Sequence, residues 1–354
     1  MQERRVTLKD IAKEVGLSVS AVSLTLNGHD VRLSEESKQR IREVAKKKNY
    51  KANVLAKSLV TKRTDTFGLL VPDIENPFFA SLAKALEEYS RNTGRVLIIV
   101  NSNDDPVSDN RLLDMLVSRE VDGLFLVPSN FVPQRQPEVK MSRFASALRH
   151  LSVPYVLVDR ISEDIDCDKV AIDNERGAAM AVDYLVKHGH RGIICVANRD
   201  SINGRERLSG YRLSLKNHGI EYNEQFVIHS DYHEQGGYLA GSRICRLLKP
   251  SDSSCDTCAT AVLSCSDMTT LGIISYFREV GISIPRDCSL ISYDNSPVLS
   301  FSDPGITAVA QDIQGLSYKA FETLIARINQ PKAPFSRTIL TPSLVIRDSV
   351  LSIS

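Results

Sequence analysis

The chain has 354 residues, 42% of them hydrophobic and 25% charged, an ordinary globular composition with length for two or three domains. Its 44 basic and 43 acidic residues leave a net charge of +1, but residues 1–63 carry +8 and the remainder −7, so the total conceals two oppositely charged parts. The opening MQERRVTLKD lacks the apolar core of a signal peptide and no apolar run approaches membrane-spanning length, so a cytoplasmic protein without a membrane partner is expected.

The basic segment begins with VTLKDIAKEVGLSVSAVSLTLNG, which reads as two short helices and a tight turn. Thr7 and Asp10 form a capping box, and Leu8, Ile11, Ala12 and Val15 recur on one apolar face. Gly16 suits a left-handed helix exit, Leu17 can plug the core and Ser18 can cap the second helix. In that helix Ala21, Val22 and Leu26 face inward, leaving Val19, Ser20, Ser23, Leu24 and Asn27 outside. Such small uncharged side chains let a helix sit deep in a DNA major groove. A helical bundle that merely packs against something is the bland alternative, and the clustered basic charge argues against it.

A third helix is predicted from a Ser34 cap to Lys48, with Ile41, Val44 and Ala45 inward. The following KANVLAKSLVTKRTDT places Asn53, Ala56 and Leu59 on one face of a helix too short to be stable alone. It would order on DNA or against a symmetry partner.

From Thr66 the texture becomes short apolar runs alternating with helical patterns. FGLLVPD, RVLIIVNS, GLFLVPS and PYVLVDR form one series of strands; VAIDN, GIICVAN, FVIHSD, ATAVLSCSD and SLISYDN form another. Asn76 caps and Pro77 begins a helix burying Phe79, Leu82, Ala83 and Leu86, and further helices are expected near 174–188, 205–218, 234–248 and 267–280. Two doubly wound parallel α/β domains follow from this alternation.

Polar residues close these strands: Asp73, Asn101, Ser129, Asp159 with Arg160, Asn198, Ser266 with Asp267, and Asp294 with Asn295. Small molecules bind beyond the carboxyl ends of open parallel sheets, so these side chains should converge on a cleft. Aspartates and Arg207 suit vicinal hydroxyls, and Phe78 and Phe79 could wall a ring. Each one alone could equally be a helix cap or turn residue; their repetition at one end of successive strands is the signal. Neither GxxxxGK[ST] nor GxGxxG follows a strand, so no nucleotide cofactor is expected. Cys255, Cys258 and Cys265 lack a fourth ligand at zinc spacing, no thiol has a paired base, and seven cysteines in such a chain read as a reducing compartment. No metal, cofactor or catalytic residue is therefore assigned.

Nearly end to end, the chain resembles the lactose/galactose repressor family of bacterial transcription regulators. The likeness rests on VTLKDIAKEVGLSVSAVSLTLNG, ANVLAKSL, GLLVPDIENPFFA, VDGLFLVPS, RERLSGYR, SLISYDN and PSLVIRDSV. It implies an α/β protein with a three-helix helix-turn-helix headpiece (1–50), a hinge helix and linker (51–63), and a two-lobed periplasmic-binding-protein-like core (64–354). The lobes would be about 64–160 with 313–340, and 161–312 with 341–354. A homodimer on a palindromic operator is implied, nucleoid-associated and controlled by a small effector such as a sugar.

Carried onto this sequence, the resemblance gives Val19, Ser20 and Leu24 to base edges, with Thr7, Ser18, Ser23 and Asn27 as further DNA contacts. Asn53, Ala56, Lys57 and Leu59 would make the hinge face, Leu59 as a minor-groove wedge. Asp73, Phe78, Phe79, Asp159, Arg207, Ser266 and Asp294 would line the effector cleft. Leu24 stands where many relatives have arginine, Ala52 where proline and Lys57 where arginine are frequent, and Ser266 replaces a frequent asparagine. Nothing after the final strand resembles the tetramerising helix of some relatives. A sugar-binding transport protein and an enzyme on the α/β core are the alternatives, opposed by the basic headpiece and by the absence of a catalytic motif.

Overall fold

The computed structural model describes residues 6–26, 30–48, 50, 63–129, 141–248 and 258–353. It separates into two units, 1–64 and 65–354. In the first, α1 (Leu8–Val15), α2 (Val19–Leu26) and α3 (Glu35–Lys47) enclose a small core of Ile11, Ala12, Val22, Ile41 and Ala45. The Thr7–Asp10 capping box is present and Gly16 leaves α1 with φ of 73°. Ser18 Oγ accepts from the Ala21 N–H at 3.2 Å, so the turn between α1 and α2 takes only Gly16 to Ser18. Val44, Leu17 and Leu26 pack on the core from partly exposed positions. Thr25, not Ala21, takes the second buried place on α2, because its hydroxyl donates to the Ala21 carbonyl at 2.8 Å and needs no water.

The second unit holds two six-stranded sheets. The first has the order β11-β5-β4-β3-β1-β2 and is parallel throughout. Its strands are β1 (Thr66–Val71), β2 (Val96–Asn101), β3 (Gly123–Leu126), β4 (Tyr155–Val158), β5 (Asp168–Ile172) and β11 (Arg337–Leu340). The second has the order β12-β10-β9-β8-β6-β7, parallel except for β12. It comprises β6 (Ile193–Ala197), β7 (Val227–His229), β8 (Ala261–Ser264), β9 (Ser289–Asp294), β10 (Thr307–Ala310) and β12 (Ser343–Val345).

Helices cover both faces, which is why the strands read as continuous apolar runs. Along β1, Phe67, Leu69 and Val71 enter one core and Leu70 the other. The covering helices that matter below are α4 (Pro77–Asn92), α5 (Pro106–Ser118), α6 (Met141–Arg149), α7 (Asn174–Lys187), α8 (Ile202–Asn217), α9 (Glu234–Leu247), α10 (Asp267–Val280), α11 (Pro297–Ser300) and α12 (Ile313–Asn329). No helix among the described residues is long and apolar enough to cross a membrane.

The chain crosses between lobes three times, after β5, after β10 and between β11 and β12. The first crossing lies at Ile172–Asn174 and not at 160/161: VAIDN belongs to the first sheet. Its strand pairs with β4 over Val156–Val158 and with β11, and Asp168 at its start is held by Arg327 of α12 at 2.7 and 3.2 Å. Arg327 also donates to the carbonyls of Pro331, Ala333 and Pro334, so one guanidinium ties β5 to the loop leading into β11. Cys167, Cys195, Cys245, Cys265 and Cys288 are free thiols. Cys258, for which the sequence suggested no pairing, is disulfide-bonded.

Burial works against the Asp168 charge, but Arg327 and Ser336 outweigh it and hold the carboxyl below its usual value. Its stabilising contribution is therefore present above the unfolded carboxylate pKa and is lost as pH falls through the lowered one. Asp168→Ala leaves a buried guanidinium unpaired and is expected to cost about 3–5 kcal/mol of core stability. Urea melts at pH 7 check this; a midpoint matching wild type would show the pair to be idle.

Candidate functional site

The carboxyl ends of both sheets meet at one narrow cleft. In the first lobe the chain leaves β1 to β2 on one side while β3 lies on the other, and in the second β6 stands likewise between β7 and β8. Such switch points open a crevice between strand ends. α4 follows β1 and presents Phe78 and Phe79, with ring centroids 5.1 Å apart and edge to face. α8 follows β6 and presents Asn203 and Arg207, one turn apart. Gly204 lets α8 start this close to β6, since a Cβ there would lie 1.9 Å from the Asn198 carbonyl oxygen.

Two aspartates enter from opposite lobes, Asp159 after β4 and Asp294 at the end of β9. Both adopt the left-handed conformation, with φ of 63° and 93°, which non-glycine residues rarely occupy outside sites that hold them there. Asn203 Nδ2 donates across the cleft to Asp159 Oδ2 at 3.0 Å. Arg207 donates to Asn174 Oδ1 at 2.9 Å and to the Cys265 carbonyl at 2.6 Å, and it faces Asp294 at 3.4 Å. Its guanidinium also stacks 3.7 Å from the Tyr293 ring centroid. Gln311 Nε2 donates to Asp294 Oδ1 at 2.5 Å. Arg160 pairs with Asp104 at 2.6 Å and lies 5.1 Å from the Phe79 ring centroid.

Both arginines thus have carboxylate partners, while three buried acceptors in the cleft have none: Asp159 Oδ1, Asn203 Oδ1 and Gln311 Oε1. Burial pushes Asp159 up to about 6 against the pull of Arg160 and Arg207. Unpaired buried acceptors are costly. An arrangement of this kind is built to receive hydroxyl or amide donors.

Of the seven residues expected in the cleft, Phe78, Phe79, Asp159, Arg207 and Asp294 line it and Asp73 and Ser266 do not. Asp73 is half-buried and accepts from the Glu75 N–H at 2.9 Å, so it shapes the turn before α4. Ser266 is 1% exposed at the N-cap of α10 and its hydroxyl meets no protein partner. Arg160, expected at the strand ends beside Asp159, also lines the cleft, and Asn76, Asn203, Tyr232 and Gln311, which the strand-end pattern does not include, complete it. Asn203 was legible as the residue four before Arg207 on the same helix face. Gln311 follows the apolar run TAVA, so the strand-end rule would have found it had that run been read as a strand.

In the headpiece, Val19 and Leu24 are 40% and 42% exposed on α2, Ser20 and Ser18 are exposed and Ser23 is half-buried. Val22 anchors the opposite side at 0%. Thr7 is exposed, with its hydroxyl on Asp10 Oδ2 at 2.7 Å. Asn27, Asn53, Ala56, Lys57 and Leu59 lie outside the described residues. Among the described residues no cluster of histidine, cysteine or acidic side chains could hold a metal ion.

A helix-turn-helix unit followed by a two-lobed α/β core with a cleft at its strand ends is the build of a DNA-binding transcriptional regulator. Residues 7–53 match the bacterial regulatory proteins of the lacI family, and residues 182–350 match the periplasmic binding protein-like domain. The ribose operon repressor of Haemophilus influenzae is 30% identical over 349 residues, covering 98% of this chain and 99% of that one. A lac repressor dimer bound to operator and an anti-inducer shares the fold at a TM-score of 0.84 and 21% identity, over 98% of this chain and 100% of that one. A LacI-family regulator from Enterococcus faecium with bound ribose is 27% identical, with a TM-score of 0.69 over 82% and 100% of the two chains. The chain belongs to the LacI family of bacterial regulatory proteins.

Because Asp159 ionises less readily folded than unfolded, its contribution to stability is complete below about pH 4 and is lost as pH rises through about 6. Asp159→Asn should therefore stabilise the protein by about 1–3 kcal/mol at pH 7.5 and hardly at all near pH 4. Urea midpoints at the two pH values report this directly, and an equal effect at both would refute the burial argument.

Proposed function

We propose that this chain is a homodimeric transcriptional repressor that reads a palindromic operator and is controlled by an uncharged monosaccharide bound between the core lobes. The three unpartnered acceptors in the cleft carry the reading. A polyol supplies one hydroxyl donor to each, and Phe78 and Phe79 offer an apolar wall to its ring. A phosphate or carboxylate ligand is disfavoured, since Asp294 and Asp104 already neutralise Arg207 and Arg160. D-Ribose leads the candidates, because a ribose operon repressor is among the relatives and a ribose-bound regulator among the structural neighbours.

Asp159 belongs to the first lobe, Asn203 to the second, and Gln311 to the crossing between them. A ligand that bonds all three is held best when the lobes are closed, so it shifts the lobe equilibrium by its differential affinity. Operator binding and effector binding then change one another by the same factor. Residues 1–50 would form the headpiece and 51–63 the hinge, in which Asn53, Ala56, Lys57 and Leu59 contact DNA. Val19, Ser20 and Leu24 would face base edges, with Thr7, Ser18, Ser23 and Asn27 supporting. No catalytic role is assigned, and the protein works in the cytoplasm at the nucleoid.

Selection from a randomised duplex library, with and without D-ribose and other aldoses, tests the whole reading; failure to enrich any duplex would end it. Leu24→Ala should weaken the enriched site about tenfold and leave random DNA unaffected, the loss expected for one apolar base contact. Equal losses on both duplexes in anisotropy titrations would remove Leu24 from base recognition. A hydroxyl donated to Asp159 favours its ionised form, so sugar affinity should be about tenfold lower at pH 5 than at pH 7.5. Calorimetry reads this, and a flat profile would take Asp159 out of the contact set.

A further inference from the structure

The turn that carries Asp294 into the cleft is strained twice over, for Asn295 also lies in the left-handed region with φ of 62°. Such backbone persists only where its surroundings hold it. Two residues outside the cleft do so. Arg347, from the C-terminal segment, donates to Asn295 Oδ1 at 2.7 Å and to the Ile306 carbonyl at 2.6 Å. From the other side Asp267, the first residue of α10 and 2% exposed, accepts the backbone N–H of Ser296 on Oδ2 and meets the Ser292 hydroxyl on Oδ1 at 2.7 Å.

Behind Asp267 runs a chain of buried oxygens. Asp267 Oδ1 lies 2.7 Å from Ser292 Oγ, which lies 2.7 Å from Thr270 Oγ1, which lies 2.8 Å from the Ser266 carbonyl. Each of these contacts needs one hydrogen, and the two hydroxyls supply two. With Asp267 ionised, one contact between buried oxygens has no proton. With Asp267 neutral, its O–H serves Ser292, Ser292 serves Thr270, and Thr270 serves the Ser266 carbonyl, so every contact is filled.

The charges around it favour the same state. Asp294 on β9 is the near carboxylate, and the Arg207 guanidinium of α8 is already engaged by Asp294, Asn174 and the Cys265 carbonyl. Arg347 turns to Asn295, and on the loop before α9 Asp231 offers Thr269 its backbone carbonyl. Burial and then the Asp294 charge push the Asp267 carboxyl up to about 7.

We propose that Asp267 is a positioning residue for effector binding: held as a neutral acid, it completes the hydrogen-bond chain from Ser266 to Ser292 and pins the turn that presents Asp294. The inference rests on the cleft reading above.

Carboxyl 13C NMR titration of the full-length protein, wild type against Asp267→Asn, tests the protonation state without any ligand. A carboxyl titrating near neutral pH in wild type and missing from the variant is expected; a difference confined to below about pH 5 would overturn the proposal. Calorimetric affinity for D-ribose, D-xylose and D-galactose tests the positioning. Asp267→Asn, whose amide can donate to Ser292 and accept from Ser296, should stay within about threefold of wild type at pH 6 and lose less affinity towards pH 8.5. Asp267→Ala should bind at least about tenfold more weakly at both pH values. Wild-type affinity in the alanine variant, or a loss in the asparagine variant as large as in alanine, would refute the role. If no sugar binds wild type, the sugar reading fails, and the NMR titration still decides the state of Asp267.

Discussion

Asp159 and Asn203 meet across the cleft at 3.0 Å, Asn203 through its amide nitrogen, and each keeps one side-chain oxygen with no protein partner. One side chain comes from the end of a strand in the first lobe and the other from the first turn of a helix in the second. A bond of this kind exists only while the lobes are together. The unpaired oxygens beside it make the closed arrangement costly in the absence of a donor. The cleft therefore has two opposed tendencies built into one pair of residues, which the polyol proposed above would resolve in favour of closure. Arg207 and Arg160 contribute by being occupied: fixed to Asp294 and Asp104, they shape the site and leave it close to electrically neutral.

Much of this was legible in the sequence because the signals were local. The capping box at Thr7 and Asp10, the glycine exit at Gly16 and the caps at Ser34 and Asn76 depend on residues within one helical turn. Strand ends followed from apolar runs closed by polar residues, and Asp159 and Asp294 stand at such ends, beside the cleft. What escaped depends on pairing between distant segments. VAIDN looks like the opening strand of a second domain, yet its place is set by the ladder to β4 and by Arg327, 159 residues away. Gln311 was missed because TAVA is a short apolar run whose strand character comes from β9 beside it. Asp73 and Ser266 obey the same strand-end rule as Asp159, but the first turns back on its own loop and the second is covered by its helix. The rule locates the end of the sheet, and the neighbouring backbone decides which side chain reaches the cavity.

Charge separates the two units by task. The headpiece segment carries +8, while its reading helix exposes Val19, Ser20 and Leu24, none of them charged. On the proposed reading, affinity for any duplex would come from the lysines and arginines of that segment and be salt-dependent, and preference for one duplex would come from apolar and hydroxyl contacts. The core, at −7, adds nothing to that attraction.

An uncharged effector cannot act on such a system by changing its electrostatics. It can act only through the geometry of the lobes, and the available energy is bounded by what the cleft gains on closing. Three acceptors newly satisfied by the proposed ligand, at about 0.5–1.5 kcal/mol each, would give about 1.5–4.5 kcal/mol before any loss of ligand freedom. That overlaps the usual allosteric coupling of about 1–3 kcal/mol, or roughly 5- to 150-fold in operator affinity. On the proposed reading, the number of unpaired acceptors in the cleft would set the ceiling on regulation. A residue that fixes the orientation of those acceptors contributes to the switch as directly as one that touches the sugar.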